Sequence, residues 1–300
     1  MTETSGTCFG YRVESERQID YLRSGAGERL VLSGGPEPTQ PGPLITRWER
    51  SNGRPFSARL HENGRGFELW IEGTGWFVID PFSGHIRLSG DLSDLRHQAR
   101  VWGIPSALCF TERGDLPLHG AAVDVDGKAL LIAAPGRHGK TTLATAFHNA
   151  GHRMLAEDLA CCRVSGTDAE ILPGPALLRL RPDVHEALKV PDTTVLRRDP
   201  DRVYLAIDPE RRGTGDPVPL AGILFLRPAQ ELELESVDPD KAIPDLWALS
   251  LTLPTDEARA RTVDRLARLA TASPCWNLYR PEGISALPNV VDEVIATCLS

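Results

Sequence analysis

Ala129-Leu130-Leu131-Ile132-Ala133-Ala134-Pro135-Gly136-Arg137-His138-Gly139-Lys140-Thr141-Thr142-Leu143 passes from an apolar run, through a turn, into a segment with helical apolar spacing. The run Ala129 to Ala134 reads as a strand. Leu143, Ala146 and Phe147 share one face of a helix expected over Thr141 to Ala150, and Gly151 sits where a left-handed cap would end it. Between them, Ala134 to Thr141 matches the informative end of a Walker-type pattern, with Ala in place of the first Gly. Such a loop grips phosphate because successive amides at a helix N-terminus point at its oxygens, the lysine neutralises charge and the Thr hydroxyl reaches Mg2+. Gly136, Arg137, His138, Gly139, Lys140, Thr141 and Thr142 are therefore the expected nucleotide-phosphate contacts. The plainer reading, a surface helix that begins Gly-Lys-Thr, is disfavoured by the strand before it and the helix after it.

Upstream, Ala121 to Val125 and Ala129 to Ala134 flank Asp126-Gly127, which predicts a hairpin feeding the loop, with His119-Gly120 just before it. Downstream, Met154 to Glu157 and Ala160 to Val164 read as short strands, with Glu157-Asp158 between them. Carboxylates at a strand end beside a phosphate loop suit Mg2+ or the proton of an attacking hydroxyl, although acidic pairs in turns are more often only solvated. Further strands are expected at Leu177 to Leu180, Val203 to Ile207, Ala221 to Leu226 and Trp276 to Tyr279. Helices are expected after a cap at Thr255 or Asp256 and from about Asn289 to Leu299.

The first ~115 residues differ, with Gly- and Pro-rich breaks between short aromatic and β-branched runs. Phe67 to Glu72, Trp76 to Asp80 and His85 to Leu88 predict a small antiparallel sheet, and Asp91 to Phe110 predicts a bridging helix broken at Pro105. The expected division is a small, mostly β domain over 1–115 and a domain built around the phosphate loop over 116–300, an α/β (α+β) chain overall.

The composition, 41% hydrophobic and 25% charged over 300 residues, suits an ordinary buried core. A net charge of −8 argues against a general grip on nucleic acid. No stretch approaches the roughly eighteen apolar residues of a membrane span, and the N-terminus lacks a signal-peptide pattern, so the cytoplasm is the expected compartment. The six cysteines form no C-x-x-C pair and are expected to be reduced and mostly buried.

Leu118-His119-Gly120, the hairpin, the loop ending Gly139-Lys140-Thr141, Gly151-His152-Arg153 and Leu155-Ala156-Glu157-Asp158 together resemble the catalytic core of the HPr serine kinase/phosphorylase family. That family shares a fold with PEP carboxykinase. The leading region instead resembles that of the HPr-kinase-like proteins of ribosomal peptide clusters, including lasso peptide clusters. The resemblance implies an HPr kinase C-terminal/PEP carboxykinase-like core with a P-loop, and an ATP- and Mg2+-dependent kinase. The acceptor it implies is a hydroxyl, most plausibly Ser or Thr of a peptide or small protein such as a natural-product precursor peptide. Asp158 would be the general base and His119 its neighbour. Lys140 would hold the β- and γ-phosphates, Thr141 would bind Mg2+, and Glu157 would assist at the metal. A homo-oligomer is suggested by fold-level analogy alone, and the different N-terminal part could block it.

Three departures fall in the loop. The family pattern has Gly at the places of Ala134 and Arg137 and an acid at that of Thr142, and Ala134 would be strained if its position required positive φ. The Leu-Glu-Ile-Arg-Gly type signature of the HPr enzymes is absent; Pro173 to Arg181 occupies its region. From there Arg179, and further on Arg202, are candidates to touch phosphate or acceptor, although strand arginines are commonly only solubilising. The alternatives are a small-molecule kinase of the same fold and a catalytically quiet nucleotide-binding or peptide-recognition protein.

Overall fold

Asp126 and Gly127 turn the chain through left-handed backbone, with φ of 51° and 84°, as a two-residue type I′ hairpin requires. The flanking strands pair antiparallel from Gly120–Ala133 to Val125–Lys128, and this hairpin delivers the chain to the loop. The computed structural model describes residues 3–50 and 56–299.

The leading sheet contains β1 (Glu3–Cys8), β2 (Tyr11–Ser15), β3 (Glu28–Gly34), β4 (Leu44–Arg50), β5 (Phe56–Asn63), β6 (Gly66–Ile71), β7 (Gly75–Asp80) and β8 (His85–Leu88), in the order β1-β2-β3-β8-β7-β6-β5-β4. The sheet is larger than the small antiparallel one expected, and β2–β3 and β3–β8 run parallel. Tight turns mark antiparallel hairpins in a sequence, whereas parallel neighbours are joined by longer connections with no local signature.

The expected bridging helix is two helices, α1 (Leu95–Val101) and α2 (Ile104–Arg113). The break falls at Trp102-Gly103, ahead of Pro105, which occupies the first turn of α2. There its missing N–H has no intrahelical partner to lose.

The chain continues through β9 (Leu116–Leu118), β10 (Gly120–Val125), β11 (Lys128–Ala133), α3 (Lys140–Asn149), β12 (Arg153–Ala156), β13 (Ala160–Ser165), β14 (Asp168–Leu172) and β15 (Leu177–Leu180). Then come α4 (Pro182–Leu188), β16 (Thr193–Asp199), β17 (Arg202–Ile207), α5 (Pro209–Arg212), β18 (Val218–Pro228), β19 (Glu233–Val237), α6 (Pro239–Leu249), α7 (Asp256–Ala272), β20 (Cys275–Arg280) and α8 (Leu287–Cys298). A nine-stranded sheet follows the order β12-β10-β11-β18-β14-β13-β9, with β20 beside β18 and β19 beside β20. A smaller sheet has the order β15-β17-β16.

Alternation along the central strands sorts their side chains into two layers. Leu130, Ile132, Leu224 and Leu278 pack with Leu143 and Phe147 of α3 and Val290 and Val294 of α8. Leu131, Ala133, Ile223 and Phe225 pack with Leu246 of α6 and Leu266 and Leu269 of α7. The large sheet is thus covered by helices on both faces, and the loop leaves it at the carboxyl end of β11.

The core under the leading sheet takes in Cys161, Leu172, Leu177 and Tyr204 from beyond residue 115. Arg23, 1% exposed, reaches across to the Gly174 carbonyl at 2.9 Å and the Met154 carbonyl at 2.6 Å. The leading region therefore braces β12, the strand that runs into Glu157-Asp158. All six cysteines are free and five are buried. Among the described residues, no helix is long and apolar enough to cross a membrane.

Candidate active site

Ala134, at the end of the hairpin, is buried; Pro135, Gly136, Arg137 and His138 form an exposed crest; Gly139 then caps α3 at a φ of 82°. The first bond of the helix runs from the Leu143 amide to the Gly139 carbonyl at 2.9 Å. The amides of Lys140, Thr141 and Thr142 consequently have no carbonyl ahead of them inside the helix, which is the arrangement that receives an anion. Ala134 lies outside the left-handed region, so the first departure carries no strain. Arg137, where the family pattern has Gly, takes the left-handed conformation instead, at a φ of 69°. The His138 ring meets the Gly136 carbonyl at 3.0 Å within the crest.

Lys140 folds back along the loop. Its ammonium lies 2.7 Å from the Ala134 carbonyl, 3.1 Å from the Pro135 carbonyl and 2.9 Å from His119 Nε2. Three donors meet three acceptors. Since Nε2 must accept from the ammonium, the proton of a neutral His119 sits on Nδ1, which faces Asp158 Oδ1 at 3.5 Å. His119 holds this place because it links β9 to β10 and its amide donates to the Leu249 carbonyl at 2.8 Å. Burial lowers the pKa of Lys140 against the pull of Asp158 and Glu157. Burial likewise lowers that of His119, with Asp158 opposing and Lys140 reinforcing the shift.

Strand β12 ends at Ala156, one residue short of the expected strand, leaving Glu157 and Asp158 in the connection to β13. Glu157 Oε1 accepts from the Thr141 hydroxyl at 3.0 Å, and its Oε2 pairs with Arg179 Nε at 2.8 Å. The same guanidinium reaches Asp158 Oδ2 through Nη2 at 2.9 Å. The two carboxylates are unlike: the Glu157 side chain is 9% exposed and that of Asp158 is 50% exposed. Burial, helped by the charge on Asp158, lifts Glu157 above the ordinary carboxylate range despite Arg179. On Asp158 burial pulls upward too, but Arg179, His119 and Lys140 outweigh it and the net shift is downward. That outcome agrees with its half-open surface, and it leaves Asp158 an ionised acceptor at neutral pH.

Lys140, His119, Asp158, Arg179, Glu157 and Thr141 thus form a closed ring around the first turn of α3. Arg202 does not join it. It starts β17 opposite Asp199 and donates to the Asp201 carbonyl at 2.9 Å. Tyr204, two residues on, is the residue paired with Arg179 across the strands. Sequence reasoning missed Arg280, at the end of β20, whose guanidinium packs over Gly139. The available signal was an arginine at the carboxyl end of an apolar strand, the edge at which open α/β sheets bind ligands.

The donor set fits a hard cation that keeps water and takes phosphate oxygens, as Mg2+ does with one or two carboxylates. Thr141 Oγ1 and Glu157 offer oxygen, with Asp158 adjacent. It does not amount to a protein-only cage, because among the described residues no group of three or more His, Cys, Asp or Glu side chains is arranged to hold a metal ion by itself. The free amides and Lys140 fit a phosphate tail.

No family model matches the chain, and neither does any curated protein. Among solved structures, the chain is similar to the HPr(Ser) kinase/phosphatase from Coxiella burnetii, at 9% identity and a TM-score of 0.33 over 60% of this chain and 93% of that one. The residue assignments therefore rest on the geometry of this chain, a mixed α and β fold whose loop, histidine and acid pair meet at one site.

Proposed function

We propose that this protein is an ATP- and Mg2+-dependent phosphotransferase acting on a hydroxyl, with Ser or Thr of a peptide or small protein as the acceptor. The reading rests on one observation: the Lys140 ammonium and the Asp158 carboxylate face the same imidazole, His119, from opposite ring nitrogens. A cation for phosphate and an ionised acid for the acceptor proton are thus held side by side, the minimum that phosphoryl transfer asks of a protein.

In this reading the amides of Lys140, Thr141 and Thr142 receive the nucleotide phosphates, and Lys140 exchanges its loop carbonyls for phosphate oxygens. Thr141 and Glu157 would hold Mg2+, which when bound neutralises charge on the phosphates. Asp158 takes the proton of the acceptor hydroxyl as its oxygen attacks the γ-phosphorus and the bond from that phosphorus to the β,γ-bridging oxygen breaks, releasing ADP with the electron pair, and His119 fixes the orientation of both Lys140 and Asp158. The resemblance to the HPr-kinase-like proteins of ribosomal peptide clusters favours a peptide acceptor, and it favours reading residues 116–300 as the kinase unit.

The test is transfer of the γ-phosphate from ATP to Ser/Thr peptides and, in parallel, binding of Mg-ATP. Lys140→Ala should weaken binding, while Asp158→Asn should bind nucleotide nearly as well as the wild type and lose transfer. Equal transfer by Asp158→Asn and wild type would refute the base assignment. A second reading, a quiet nucleotide-binding protein, is favoured by the saturation of Lys140 on its own loop, and wild-type binding without turnover on any hydroxyl would support it.

A further inference from the structure

Arg280 ends β20, which runs parallel to β18 from Ile223–Cys275 to Pro228–Arg280. Leu278 points into the layer that holds α3, and alternation carries Arg280 to the same face, over the N-terminus of α3. A Cβ placed on Gly139 would lie 2.2 Å from Arg280 Nη2, so the guanidinium rests against the capping glycine itself. Its bonds are two long ones to carbonyls, His138 at 3.4 Å and Pro281 at 3.2 Å. Among the described residues no carboxylate forms an ion pair with it, and Glu282 is the acid whose charge it feels. Burial lowers its pKa, yet a guanidinium stays protonated.

A half-buried arginine that touches only carbonyls, beside three free amides, leaves most of its fork of donors unclaimed. It is also set apart from the ring. Lys140 lies against His119, which faces Asp158, whereas Arg280 lies against Gly139 and the His138 and Pro281 carbonyls. The loop therefore has two charged flanks: Lys140 with the acids, where the proposed transfer occurs, and Arg280 over Gly139 and His138.

Resting on the nucleotide reading above, we propose that Arg280 is a second phosphate-binding cation on the flank away from the acids, contacting the part of the phosphate tail nearer the nucleoside. It supplies donors that this loop lacks, since Pro135 has no N–H to give. Such a contact is made equally before and during transfer, so it acts on affinity more than on the chemical step.

The test compares wild type, Arg280→Ala, Arg280→Lys and Lys140→Ala by calorimetric titration with Mg-ATP and Mg-ADP and by steady-state transfer, with thermal melting as the folding control. Arg280→Ala should weaken both ATP and ADP at least tenfold and raise KM far more than it lowers kcat, with Arg280→Lys recovering part of the affinity. A loss confined to ATP and absent with ADP would put Arg280 at the γ-phosphate and overturn the assignment, as would unchanged affinity for both. Should wild type bind neither nucleotide, the nucleotide reading itself falls and this inference with it; binding by wild type with an indifferent Arg280→Ala removes the inference alone.

Discussion

His119 Nε2 lies 2.9 Å from the Lys140 ammonium, so the imidazole is an acceptor on that side and carries its proton on Nδ1, toward Asp158. A protonated ring would oppose the lysine, and burial already holds the His119 pKa below 6.5.

The unfolded chain therefore takes up a proton at His119 more readily than the folded one. Above pH 6.5 neither form is protonated and there is no penalty; as pH falls from 6.5 toward the lowered folded pKa, unfolding is favoured. His119→Gln, which keeps an acceptor for Lys140 and cannot titrate, should lose less stability than wild type between pH 7.5 and pH 5 in urea titrations. Parallel losses in the two proteins would contradict the neutral assignment.

Arg179 neutralises two carboxylates at once, one of them almost buried. Arg179→Leu should destabilise the protein by about 3 kcal/mol, the scale for leaving a buried charge without its partner. Adding Glu157→Gln should restore much of that, because the uncompensated charge is then gone. A double variant no more stable than Arg179→Leu would show that the cost lies in packing.

Arg137 holds a left-handed conformation at a φ of 69° on the exposed crest. Relief of that strain, about 1–2 kcal/mol, is partly offset by the greater freedom glycine gains in the unfolded chain, roughly 0.5–1 kcal/mol. Arg137→Gly should thus be neutral or stabilising by up to about 1.5 kcal/mol in chemical denaturation. A clear loss would mean that the side chain makes a contact the crest depends on.

Gly139 combines a φ of 82° with the guanidinium of Arg280 against its Cα. Gly139→Ala should cost about 1–2 kcal/mol for the backbone, plus the displacement of Arg280. The second part should vanish in an Arg280→Ala background, so a double-mutant cycle should show coupling above about 0.5 kcal/mol. Strict additivity would place the guanidinium elsewhere.

Local pattern made the hairpin, α3, α7 and most strands of the large sheet legible, because Asp126-Gly127, Thr255 and the short apolar runs act over a few residues. It failed where geometry is nonlocal. The parallel pairs of the leading sheet have no turn to announce them, and α6 carries Pro244 inside a helix. The break expected at Pro105 falls just ahead of it, because the proline opens the second helix. In the site, Lys140, Thr141, Glu157, Asp158 and His119 were legible as a motif set. The partner of the acid pair was not: Arg179 and Arg202 are alike in sequence, both strand arginines, and only the register of β15 against β17 separates them.

The sequence by itself determined the elements that deliver the loop, since hydrogen bonding and side-chain periodicity within each strand and helix depend on near neighbours. Only the tertiary structure decided that Arg179 closes a ring with both carboxylates, that Arg23 braces the strand beneath them, and that Arg280 meets Gly139. Those contacts join residues far apart in the chain, and their existence depends on strand order and register, which no short stretch of residues encodes.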